Sequence, residues 1–165
     1  MYVLVSGLPR ERQVDAGAAA RDRADLPLFS KDTIKEALWD ALGPGDRVWA
    51  RQLGIAAVAA LPSLVQSSSG AVVDHFLHAD HLADWVALPG IVEVRCACAT
   101  ALSRERYADR VRHPSHFDAD LLRDSFDAWI AEDTARPPVG PRLDVDTATP
   151  VDVASIASWV RNATQ

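Results

Sequence analysis

Tyr2-Val3-Leu4-Val5-Ser6-Gly7-Leu8-Pro9 opens the chain. Consecutive apolar residues closed by serine, glycine and proline read as a fully buried strand that runs into a turn. The same kind of short run recurs further on. Five strands are predicted: Tyr2 to Ser6, Leu26 to Phe29, Ala71 to Asp74, Ile91 to Cys96 and Leu143 to Val145. Helical stretches separate them at Asp15 to Arg23, Asp32 to Leu42, Asp46 to Ser67, Ala79 to Val86, Thr100 to Val111, Asp120 to Thr134 and Val151 to Asn162. This alternation predicts a three-layer α/β/α fold in which helices cover both faces of a five-stranded parallel sheet.

Several boundaries carry their own chemistry. Gly43-Pro44-Gly45 must break the second helix, and Asp46 is placed to cap the third. Pro62 is expected to kink that helix, and Thr149-Pro150 to start the last one with a hydroxyl cap.

With 165 residues, 48% of them hydrophobic, the chain fits one domain over residues 1–165. A net charge of −6 argues against a nucleic acid recognised through a general basic surface. The N-terminus lacks the basic and apolar regions of a signal peptide, and no apolar run of about 18 to 20 residues suggests a membrane span, so a cytoplasmic protein is expected. Cys96 and Cys98 are read as reduced thiols.

The turn after the first strand has the start of a phosphate-binding loop, G-x-x-x-x-G-K-[ST], with Gly7 as the first glycine and Leu8 and Pro9 following. Counting onward, Arg12 stands where the second glycine belongs, Gln13 where the lysine belongs and Val14 where the hydroxyl belongs. Glycine lets the backbone wrap the phosphates, lysine neutralises their charge, and Ser or Thr holds Mg²⁺. As written, the loop is degenerate.

Arg10 to Gly17 can be encoded CGG GAG CGG CAA GTC GAC GCT GGC. Read one base later, this becomes GGG AGC GGC AAG TCG ACG CTG GC, which spells Gly-Ser-Gly-Lys-Ser-Thr-Leu and begins an Ala. The missing motif returns in register, with its lysine at Gln13. A local frameshift that opens near Pro9 and closes before about Leu26 accounts for the loop. Ordinary divergence of a loop that no longer needs ATP is the alternative.

Beyond the loop, the chain resembles the small bacterial P-loop ATP-binding proteins of the zeta-toxin, chloramphenicol-phosphotransferase and polynucleotide-kinase group. The resemblance rests on Leu28-Phe29-Ser30-Lys31-Asp32-Thr33-Ile34-Lys35, on the strand ending at Asp74, and on Val92 to Cys98 running into Arg104-Glu105-Arg106-Tyr107. His113-Pro114-Ser115-His116 and Val145-Asp146-Thr147 extend it.

That resemblance implies a P-loop kinase fold with a helical lid over about 104–136, ATP and Mg²⁺ as cofactors, and a small hydroxylated acceptor as substrate. It implies Asp32 as the base facing the acceptor hydroxyl, although Ser30 or Asp32 could equally cap the helix. Asp74 would orient Mg²⁺, unless it is simply a residue of the turn. Arg104, Arg106, Arg110 and Arg112 supply lid candidates; Arg106 and Arg110, at i, i+4 on one face, lead, with Glu105 and Asp109 available as ordinary ion-pair partners.

His75, His78 and His81 do not converge as metal ligands at three-residue spacing and border the expected acceptor pocket. Trp39, Trp49, Trp85, Trp129 and Trp159 read mainly as core, with Trp39 or Trp49 available to line that pocket. Two functions follow: an ATP-dependent phosphotransferase whose nucleotide binding is impaired as written, or a pseudokinase that keeps the fold as a ligand- or partner-binding module.

Overall fold

The computed structural model describes residues 1–8 and 26–164. Pro9, Arg12, Gln13, Val14 and the predicted helix Asp15 to Arg23 lie outside the described residues. Five strands form one sheet: β1 (Tyr2–Gly7), β2 (Leu28–Ser30), β3 (Ala71–Asp74), β4 (Ile91–Ala97) and β5 (Arg142–Asp146). Their order is β2-β3-β1-β4-β5, and every pairing is parallel.

Between the strands lie α1 (Lys31–Leu42), α2 (Arg47–Gln66), α3 (Leu82–Val86), α4 (Thr100–Ala108), α5 (Asp118–Asp124), α6 (Phe126–Ala135) and α7 (Val153–Ala163). Alternating side chains of the sheet feed two cores. Tyr2, Leu4, Ala71, Val73 and Ile91 pack with Leu61 and Val65 of α2 and Trp85 of α3. Val3, Val5, Val72, Val92 and Val94 pack with Ile156 and Val160 of α7. Each fully buried Leu or Val contributes about 1.5–3 kcal/mol, so this two-sided burial holds the carboxyl ends of the strands in place.

Local chemistry explains where the helix boundaries fall. Gly43 ends α1 at φ 96°, a conformation that strains other residues, and the Asp46 side chain accepts from the Trp49 amide at 2.9 Å to cap α2. Pro62 lies within α2 without ending it. By length and composition α2 is apolar enough to cross a membrane, contrary to the sequence reading, but its stripe of Ala57, Leu61 and Val65 is buried inside this fold.

Three expected helices change shape. Ala79 to Val86 begins as a 3₁₀ turn over Ala79–His81, whose first amide donates to Glu132 at 2.8 Å. The helix from Thr100 ends at Ala108, short of the expected Val111, because the chain turns inward to bury Arg110. The span Asp120 to Thr134 is two helices broken at Ser125, where Phe126 turns into the interior under Tyr107 with ring centroids 5.4 Å apart. Asp152, not Thr149, caps α7 by accepting from the Ala154 and Ser155 amides.

Candidate active site

The parallel register brings the ends of β1, β2 and β3 together. Asp74 pairs with Val5 on one side and with Ser30 on the other, two residues before Gly7 and two before Asp32 respectively. In a sheet of this topology the crevice beyond the carboxyl edge is where ligands bind. Gly7 takes φ 121°, which favours glycine.

Ser6, immediately before Gly7, is anchored from below. Its hydroxyl donates to Glu93 Oε1 at 2.5 Å, and Arg136 donates to the same oxygen at 2.5 Å and to Ser6 Oγ at 2.9 Å. The Arg136 and Glu93 side chains are both fully buried. Asp133 joins Arg136 to Arg95, and the Val139 amide donates to the second Glu93 oxygen. A buried charge pair with its remaining valences satisfied fixes geometry more than it adds stability.

Asp32 lies in the first turn of α1 and is not a cap: the N-cap is Ser30, whose side chain makes no capping bond. Its carboxylate accepts from Lys31 Nζ at 2.9 Å and from Arg112 at 2.5 Å. Burial opposes its ionisation, and Lys31, Arg112 and His116 together outweigh that, holding the carboxyl below the usual range. The carboxylate is therefore ionised at neutral pH, and at 37% side-chain exposure it remains open to a ligand.

Arg112 is the pivot of the cluster. Besides Asp32 it donates to both oxygens of Asp118, at 3.1 and 2.9 Å, a fork that only a guanidinium makes. Arg110 and Tyr107 also donate to Asp118, at 2.5 and 3.2 Å, and the Arg110 guanidinium lies 3.4 Å from the Tyr107 ring centroid. On the far side, His116 Nε2 is 2.7 Å from Glu36, and His113 Nε2 is 3.1 Å from Asp40. Burial holds His116 down to about 4, so it is neutral at pH 7. Phe117, at φ 50° in the left-handed region, turns the chain between these groups and packs against Trp39.

Asp74 differs from Asp32. Burial and the nearby Asp32 charge raise it to about 6, against a hydrogen bond from Ser30.

The structure therefore brings together Asp32, Asp74 and Gly7 and adds Arg112, Lys31, Asp118 and His116. Arg106 and Arg110 do not share a helical face, since α4 ends before Arg110. Arg106 reaches the Thr147 carbonyl at 3.0 Å, and Arg110 turns inward. His75 is buried against Trp85, His78 pairs with Glu132, and His81 lies 3.7 Å from Asp80. Among the described residues, no three His, Cys, Asp or Glu side chains gather as a metal site. Cys96 is buried and Cys98 half-buried, and neither is in a disulfide. In the sequence Arg112, His116 and Lys31 carry no role beside Asp32, and Asp118 gives no signal.

The fold is shared with solved structures. A protein of Chloroflexus aurantiacus provisionally classed as a kinase superposes with a TM-score of 0.80 at 28% identity, over 99% of this chain and 98% of that one. The chain has the fold of the small P-loop kinases. A gluconokinase of Sinorhizobium meliloti (TM-score 0.60, 19% identity, 99% and 89% covered) and a shikimate kinase of Aquifex aeolicus (0.62, 12%, 99% and 95%) share that fold. No family model and no curated protein sequence matches the chain.

For a P-loop kinase fold, ATP and Mg²⁺ are the implied ligands. Gly7 and Asp74 suit them. Arg12, Gln13 and Val14 do not: the loop as written offers no lysine for the phosphates and no hydroxyl for the metal.

Proposed function

We propose that this P-loop kinase fold is that of an ATP-dependent phosphotransferase for a small hydroxylated acceptor, of the zeta-toxin and chloramphenicol-phosphotransferase type, whose nucleotide half is disabled by the loop as written. The observation that carries this reading is the Asp32–Arg112 pair at the carboxyl edge of the sheet, beside Asp74 and Gly7. ATP would supply the phosphoryl group. Asp32, kept ionised, accepts a hydrogen bond from the acceptor hydroxyl and orients it. Arg112 fixes the direction of that carboxylate, and Asp118 fixes Arg112. Arg106 extends from the lid helix toward the loop after β5, and Arg110 braces Asp118.

The in-register return of Gly-Ser-Gly-Lys-Ser-Thr supports a frame change between Pro9 and Leu26 as the origin of the degenerate loop. With Gln13 and Val14 in place, the second reading is a pseudokinase that binds an acceptor without transfer. The test restores Gly-Ser-Gly-Lys-Ser-Thr-Leu-Ala over 10–17 and follows ADP release with a panel of polyols, sugars and sugar acids. Acceptor-dependent ADP release that Asp32→Asn abolishes supports the enzyme. A restored chain that releases no ADP with any of them counts against it.

A further inference from the structure

One cation in the Asp32 cluster has no counter-charge of its own. Lys35 lies one turn after Lys31 on α1 and is only 6% exposed. Its stem runs along the backbone of α2, where a Cβ on Gly54 would lie 3.9 Å from Lys35 Cδ and Cε. Among the described residues its ammonium has no hydrogen bond and no ion pair. The neighbouring carboxylates are engaged elsewhere: Asp32 with Lys31 and Arg112, Asp118 with Arg110 and Arg112, Glu36 with His116.

We propose that Lys35 anchors an oxyanion carried by the acceptor, so that the substrate is a small hydroxylated acid, a polyol or sugar bearing a carboxylate or a phosphate. An ammonium on a mostly buried side chain, with no partner of its own, is poorly compensated, and a ligand oxyanion that reaches it offsets that cost on binding. Asp32 and Lys35 are three residues apart on one helix, which makes them surface neighbours. A hydroxyl at Asp32 and an anionic group at Lys35 thus fit one small molecule. Lys31 and Arg112 add positive field, and Asp32 and Asp118 oppose it. Burial lowers Lys35 only to about 8, so it still carries its charge at neutral pH.

This substrate class rests on the phosphotransferase reading, but the binding it predicts needs no nucleotide. The chain as written is titrated calorimetrically with D-gluconate, sn-glycerol 3-phosphate and, as a neutral control, D-sorbitol. At least one of the two anions is expected to bind tenfold or more tighter than sorbitol, and the one that does identifies carboxylate or phosphate. Lys35→Met, which keeps the packed stem, is expected to remove that advantage. In the unmodified chain the bound anion is expected to slow amine-reactive labelling of Lys35, which covers the case of a variant that does not fold. The proposal is overturned if neither anion outbinds sorbitol, if Lys35→Met binds the anion as well as the parent, or if the anion leaves Lys35 labelling unchanged. Anion binding without nucleotide binding in a loop-restored chain would sink the phosphotransferase reading alone, and the reverse pattern would sink this inference alone.

Discussion

Arg112 donates to Asp32 at 2.5 Å from 80 positions along the chain, and the same guanidinium forks onto both oxygens of Asp118. One side chain therefore fixes the direction of the proposed base and, with Lys31, helps to keep it ionised. Arg112→Met should raise the Asp32 carboxyl toward the ordinary range, since Arg112 is one of the charges that outweigh burial there. Carboxyl carbon NMR through an acid titration reads this directly. An unmoved Asp32 would mean that Lys31 and His116 suffice.

The buried pair Glu93–Arg136 beneath Ser6 predicts an asymmetric response to mutation. Removing one partner, as in Glu93→Ala or Arg136→Ala, strands a charge and should cost about 3–5 kcal/mol. Replacing both, as in Glu93→Ala with Arg136→Ala, should cost less than the sum of the two single changes. Urea unfolding of the three variants checks it, and additive losses would show that the two side chains act independently.

His75 should make the fold acid-sensitive. It is 3% exposed, both ring nitrogens lack a hydrogen-bond partner among the described residues, and burial lowers it to about 3. The unfolded chain therefore takes up a proton near the ordinary value of 6.5 that the folded chain refuses. The contribution is fully present above about pH 6.5 and is lost as pH falls toward about 3, by at most about 1.4 kcal/mol per pH unit. Asp74, raised to about 6, works in the opposite sense, so the comparison must be between the parent and His75→Leu. The stability difference between them should shift in favour of the variant as pH falls, read as melting midpoints from pH 7 to 4. A constant difference would contradict the buried neutral imidazole.

Much of this was legible in the sequence because it depends on local pattern. Buried strands announce themselves as apolar runs, and the five were found within two residues of their observed ends, as in Ala71–Asp74. Asp74 and Gly7 followed from position at strand ends. What failed depended on contacts across the chain. The helix from Thr100 was extended past Ala108 because nothing local shows Arg110 turning in to meet Asp118, and that extension put Arg106 and Arg110 on a common face they do not have. Asp32 could not be separated from a helix cap, because its actual partner, Arg112, comes from a distant loop. Lys35 figures in the sequence only as the end of the stretch from Leu28, and its burial against α2 depends on packing between helices.

The most direct test of the account is calorimetric titration of Mg-ATP into two chains, the one as written and one carrying Arg12→Gly, Gln13→Lys, Val14→Ser and Asp15→Thr with Arg10→Gly, Glu11→Ser, Ala16→Leu and Gly17→Ala. Saturable binding by the restored chain is expected, with at least a hundredfold weaker binding, or none, by the chain as written. Equal binding by both, or no binding by a restored chain that melts cooperatively, would contradict it.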